Sequence, residues 1–103
     1  MIFAMRLSPN QQREIKRLTQ DIFGRDSTVR LFGSRVDDGQ RGGDVDLLVE
    51  SPEGVEDPAM LSARLSTKIS RLMHGRRVDV LLLAPNLNRL PIHEVAESEG
   101  ILL

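Results

Sequence analysis

Apolar residues fall at Ile15, Leu18 and Ile22, three and four positions apart, with Phe23 beside the last and mostly polar residues between. That is the period of one face of an α-helix. Ser8 ahead of Pro9 supplies an N-cap with proline at the first helical position, and Gln11 stands where a capping box closes. Gly24 marks the end. The pattern then changes. Val29 to Phe32 reads as a short strand stopped by Gly33. Residues 34–43, SRVDDGQRGG, carry three glycines and four charges and read as loop. Asp44 to Glu50, DVDLLVE, alternates as a second strand does. An acidic linker from Ser51 to Glu56 leads to Asp57-Pro58, a second helix start, and a stripe of Leu61, Leu65, Ile69 and Leu72. Gly75 stops that helix. Arg77 to Ala84, RVDVLLLA, is a third strand, and Pro85 to Leu90 is turn-rich. A short helix runs from Pro91 to about Glu99, followed by Gly100 and the apolar tail Ile101, Leu102, Leu103. The order α-β-β-α-β-α predicts an α/β (α+β) fold: a small mixed sheet of about three strands with helices on one face.

Composition narrows the classes. The chain of 103 residues is the size of a single domain, residues 1–103. Fourteen Lys and Arg against fifteen Asp and Glu leave a net charge of −1, which disfavours a general polyanion binder. Phe3, Phe23 and Phe32 are the only aromatics, too few for a base-stacking platform. Nucleic acid is therefore an unfavoured partner. No cysteine is present, which excludes disulfides, cysteine-ligated zinc, iron–sulfur clusters and a thiol nucleophile. The longest apolar run, Val80 to Ala84, falls far short of the roughly 20 residues that span a membrane. The apolar start, Met1 to Met5, lacks the build of a signal peptide. The chain reads as a soluble cytoplasmic protein.

Strand alternation then sorts the acidic residues. Asp44, Asp46 and Leu48 share one face of the second strand, with Val45, Leu47 and Val49 on the other. Arg77, Asp79, Leu81 and Leu83 share a face of the third, with Val78, Val80 and Leu82 opposite. Apolar faces point at the helices, so Asp44, Asp46 and Asp79 converge on the open face if the two strands are neighbours. Aspartate is a poor strand former, and like charges side by side are costly. A divalent cation among them resolves both objections, because Mg²⁺ takes one or two carboxylates plus substrate phosphates. Two such ions can clamp the attacking and leaving oxygens of a phosphoryl or nucleotidyl transfer. The plainer alternative is three solvent-facing residues that happen to align. An EF-hand does not fit, because Leu47, Leu48 and Val49 follow Asp46 where ligands would be needed. Gly33 and Ser34, at the end of the first strand, offer close backbone approach and a hydroxyl to a phosphate, and Arg35 adds positive charge. Neither a Walker A loop nor G-x-G-x-x-G is present.

Gly33-Ser34-Arg35, then Gly43-Asp44-Val45-Asp46-Leu47, and later Arg77-Val78-Asp79-Val80 resemble the signature of the DNA polymerase β nucleotidyltransferase superfamily. Length and loop style resemble its minimal nucleotidyltransferase (MNT) branch, as does the ending IHEVAESEGILL. The resemblance implies a polymerase β-like palm. In it Gly33 and Ser34 would hold a triphosphate, with Arg35 a further phosphate contact. Asp44 and Asp46 would bind two Mg²⁺ ions, and Asp79 would complete the metal site for the attacking hydroxyl. ATP is the implied substrate. The residue before the first aspartate is often serine in the family and is Gly43 here, which removes a hydroxyl but no metal ligand. Members of the branch commonly pair with a helical HEPN toxin as its antitoxin, and can transfer AMP to a tyrosine of that toxin. The implied activity is therefore protein adenylyl transfer, in a homo- or hetero-oligomer. The alternatives are an antitoxin that acts by binding alone, and a nucleotidyltransferase acting on RNA.

The remaining features carry less. Arg64, Lys68 and Arg71, with Arg76 and Arg77 following, could contact RNA or an acidic partner. They read more simply as a solvated helix flank whose late charges suit the helix dipole. His74 has the same explanation, and His93 reads as a surface residue. Leu48, Leu81 and Leu83 lie on the aspartate face and need cover, either from the C-terminal helix and tail or from a partner.

Overall fold

The computed structural model describes residues 7–33 and 45–103. The first helix, α1, spans Pro9–Phe23 and begins with the capping box that its sequence dictates. The Gln11 backbone N–H donates to Ser8 Oγ at 3.1 Å, and the Ser8 N–H donates to Gln11 Oε1 at 2.9 Å. Two strands follow, β1 at Thr28–Phe32 and β2 at Val45–Glu50, paired antiparallel. The second helix, α2, spans Pro58–Leu72 and returns the chain to β3, Val78–Leu83, which lies parallel to β2. The third helix, α3, covers Pro91–Glu99, and β4 is the pair Ile101–Leu102.

The predicted element order and mixed sheet are present, and two features go beyond them. The apolar tail forms a fourth strand that pairs antiparallel with β1, giving the order β3-β2-β1-β4. Helices also lie on both faces rather than one. The core cluster of Val29, Leu31, Val45, Leu47 and Val49 packs with Ile15 of α1 and with Leu65 and Ile69 of α2. Thr19 is buried there too, its hydroxyl donating to the Ile15 carbonyl at 2.8 Å. The opposite face, which carries Arg30, Leu48 and Glu50, lies under α3. Leu48 and Ala96 are fully buried, while Leu81 and Leu83 are half-buried. The C-terminal helix thus supplies the cover that Leu48 demands.

The start of α2 departs from simple cap logic. Asp57 has φ 54° and its side chain makes no capping bond. The approach to the helix is held from elsewhere: Asn86 accepts from the Val55 N–H and donates to the Val55 carbonyl, both at 2.9 Å. At the other end, α2 reaches across to the chain leading into β3. Ser70 Oγ donates to the Arg76 carbonyl at 2.7 Å and Ser66 Oγ to the Val78 carbonyl at 2.5 Å. Two half-buried serines therefore hold the start of β3, and with it the position of Asp79.

Candidate active site

The end of β1 and the starts of β2 and β3 meet at one end of the sheet. The register sets Asp46 opposite Phe32 on one side and opposite Asp79 on the other. Neighbouring strands lie about 4.8 Å apart, so the two aspartates, of equal parity, rise side by side from the same face. Asp46 is half-buried, and Asp79 is exposed at 49 %. Arg77 Nε lies 3.4 Å from Asp79 Oδ1. Both side chains are open to water, so that pair contributes little to stability.

Gly33 closes the third side. Its φ is +79°, and a Cβ built on it would lie 2.5 Å from Asp46 Oδ2 and 3.2 Å from Asp46 Cγ. The Asp46 carboxylate therefore occupies the space that any side chain at position 33 would take. This is the physical reason for glycine there, and it ties the end of β1 to the carboxylate on β2. Of the sequence-predicted residues, the structure brings Gly33, Asp46 and Asp79 together. Ser34, Arg35 and Asp44 lie outside the described residues. Among the described residues, no group of three or more His, Cys, Asp or Glu is arranged to hold a metal ion. The two aspartates present do offer hard oxygen donors on adjacent strands, and the absence of a Cβ at Gly33 leaves room for the Asp46 carboxylate. That donor set fits a divalent cation such as Mg²⁺.

The sequence reading placed His93 at the surface, and the structure corrects this: His93 is 3 % exposed. Its Nδ1 accepts the Leu90 N–H at 2.8 Å, and its Nε2 lies 3.1 Å from the Leu82 carbonyl. An accepting Nδ1 leaves Nε2–H as the donor, so the two bonds together select the neutral Nε2–H tautomer. His93 thus satisfies a carbonyl of β3, which among the described residues has a neighbouring strand on one side only. The H-E-V-A-E spacing gave no hint, because burial of a histidine depends on which sheet edge its helix meets.

Further along the same face, α3 is tethered by charge. Arg30 Nε lies 3.5 Å from Glu50 Oε1, and Arg89 pairs with Glu97. Burial holds the Glu50 carboxyl above its usual range, reinforced by a hydrogen bond with Glu97 and opposed by Arg30. Glu97 is held below its usual range, first by its hydrogen bond with Arg89 and then by that with Glu50.

Residues 12–103 match the family model described as nucleotidyltransferase domain. No curated protein matches the chain. Among solved structures, the chain resembles one in the crystal structure of the toxin-antitoxin MntA-HepT, at 17 % identity and a TM-score of 0.63, covering 92 % of this chain and 70 % of that one. A mutant form of that toxin-antitoxin complex matches at 18 % identity and a TM-score of 0.62, covering 89 % of this chain and 69 % of the other. At these identities the likeness is one of fold, a polymerase β-like nucleotidyltransferase fold.

Proposed function

The chain belongs to the nucleotidyltransferase domain family, and from that premise we propose that it transfers AMP from ATP to a tyrosine hydroxyl of a HEPN toxin and so acts as that toxin's antitoxin. The observation that carries the proposal is the meeting of Asp46, Asp79 and Gly33 at one end of the sheet. Two carboxylates in register on adjacent strands, with a backbone glycine against one of them, suit phosphate chemistry better than any other the chain can support.

The roles follow from residue type. Asp44 and Asp46 would hold two Mg²⁺ ions, and Asp79 would complete the site on the acceptor side. A metal held there would supply positive charge to neutralise phosphate oxygens and to position the acceptor oxygen. Gly33 and Ser34 would bind the triphosphate through backbone N–H groups and a hydroxyl, with Arg35 adding charge. The acceptor oxygen forms a bond to the α-phosphorus, the bond from that phosphorus to the β-phosphate oxygen breaks, and pyrophosphate leaves. Asp79, exposed at 49 %, would take the hydroxyl proton. Its openness matters, because an acceptor on another protein has to reach it.

A second reading, neutralisation of a toxin by binding alone, is favoured by the exposed apolar side chains of Leu90, Ile92, Val95 and Leu102. Purified protein, its HEPN partner, ATP and Mg²⁺, followed by intact mass of both chains, separates the two. The catalytic reading expects an AMP adduct on the partner that disappears with Asp44→Asn/Asp46→Asn. Neutralisation that survives the double substitution without any adduct supports the second reading.

A further inference from the structure

The solvent face of α2 carries charge that the proposed chemistry leaves unexplained. From position 58 to position 78 the chain holds five Arg and Lys and no Asp or Glu. Three of the five, Arg64, Lys68 and Arg71, stand on one exposed face of α2 and line a shallow groove of about 380 Å³ with Met60, Ala63 and Thr67. Met60 to Arg71 covers about 16 Å of helix axis at 1.5 Å per residue. None of the three cations has an ion-pair partner among the described residues, and Arg64 makes only a 4.0 Å contact to the Met60 sulfur. The first helix shows the contrast: Arg17 there is paired with both Glu14 and Asp21, at 2.8 and 3.0 Å. A merely solvated helix gains from acids three or four residues from its bases, and α2 has none.

The stripe also leads somewhere. Because β2 and β3 are parallel, the helix between them runs back, so its C-terminal end lies at the end of the sheet where β3 begins. Arg71 is in that last turn, Arg76 and Arg77 continue the positive charge, and Arg77 reaches Asp79. The stripe thus runs toward the end of the sheet that carries Asp79, which stands on the face opposite α2, with Arg76 and Arg77 in the chain between the two.

We infer that the α2 stripe is the docking surface for an acidic segment of the acceptor protein, from which the acceptor hydroxyl reaches Asp79 around the end of the sheet at Arg76 and Arg77. This rests on the reading of the chain as a transferase that acts on a protein. Charge complementarity chooses the occupant: three cations without an ion-pair partner among the described residues, over a floor of Ala63 and Thr67, fit a row of carboxylates on a helix or extended segment. A nucleic acid fits less well, because the net charge is −1 and α2 carries no aromatic side chain to stack a base.

The test compares wild type with Arg64→Glu/Lys68→Glu/Arg71→Glu, with the neutral Arg64→Gln/Lys68→Gln/Arg71→Gln, and with Asp46→Asn. Complex formation and AMP transfer are measured with the purified HEPN partner. Three exposed pairs lost together should weaken the complex and raise KM for the partner by about tenfold. The neutral variant should show a smaller rise, and kcat and KM for ATP should hold in both. Raising salt should weaken the wild-type complex, leave the neutral one nearly unchanged and relieve the repulsion in the charge-reversed one. Wild-type affinity and KM in the charge-reversed variant overturn the inference. So does tighter binding of a single-stranded oligoribonucleotide to the stripe than of the partner. Asp46→Asn should bind the partner normally and transfer nothing. If it transfers, the catalytic reading fails while the binding constants still judge the stripe.

Discussion

Substituting Gly33 by alanine tests whether the end of β1 and the Asp46 carboxylate are one device. Two costs arise. The backbone at position 33 has φ +79°, a conformation that costs an L side chain about 1–2 kcal/mol. The new methyl would also sit 2.5 Å from Asp46 Oδ2. That is roughly 1 Å inside ordinary contact, so the carboxylate has to swing aside by a similar amount. Gly75 separates the costs, because it has nearly the same φ, +86°, with nothing within 4 Å of its Cβ position. Both alanine variants should therefore lose about 1–2 kcal/mol of stability, a fall in Tm of roughly 4–15 °C for a domain of this size. Only Gly33→Ala should lose activity. A misplacement of about 1 Å at a reacting centre costs on the order of a hundredfold, or about 2.7 kcal/mol of barrier. Thermal unfolding followed by circular dichroism measures the first effect, and initial rates of AMP transfer from labelled ATP measure the second. Equal activity in the two variants would refute the coupling of Gly33 to Asp46.

Asp79→Asn should cut transfer by at least about a hundredfold while leaving Tm near wild type, since Asp79 is exposed and its pair with Arg77 is weak. His93→Leu should cost about 2–4 kcal/mol by orphaning the Leu90 N–H and the Leu82 carbonyl, and amide exchange should show α3 losing protection first. The pH dependence at Glu50 has a definite sign. Its folded pKa is raised, so the ionised form penalises the folded state above that pKa, and the penalty fades as pH falls into the ordinary carboxylate range. Glu50→Gln should therefore raise Tm relative to wild type at neutral pH, with the difference shrinking in acid. A Tm below wild type at neutral pH would mean that the ion pair with Arg30 outweighs burial. Asn86→Ala should cost about 1–3 kcal/mol by freeing both backbone groups of Val55, visible as faster exchange in the segment before α2.

Local rules made most of the frame legible. Ser8, Pro9 and Gln11 predicted the start of α1, because a capping box involves only residues three apart. Alternation in DVDLLVE and RVDVLLLA predicted both the strands and the shared face of Asp46 and Asp79, because a strand has a fixed period. What stayed hidden depends on tertiary partners. The tail Ile101-Leu102 became a strand because β1 had an open edge, which a run of three apolar residues cannot announce. The placement of α3 over Leu48, and with it the burial of His93, follows from where Pro91 redirects the chain after β3. Asp57 offered a normal cap residue and did not use it, because Asn86, some thirty positions away, holds the loop instead. Asp46 and Asp79 were found by parity. The closeness of Gly33 to Asp46 needed the β1–β2 register, which no single-strand pattern contains.

The central claim is that carboxylates at one end of this small sheet move a nucleotide onto a protein hydroxyl. Intact mass of the HEPN partner, after incubation with wild-type protein, ATP and Mg²⁺, tests it most directly. The account predicts an AMP adduct on a tyrosine of the partner, absent when Asp44→Asn/Asp46→Asn replaces wild type and absent without divalent metal. No adduct from the wild type, or the same adduct from the double variant, would contradict it.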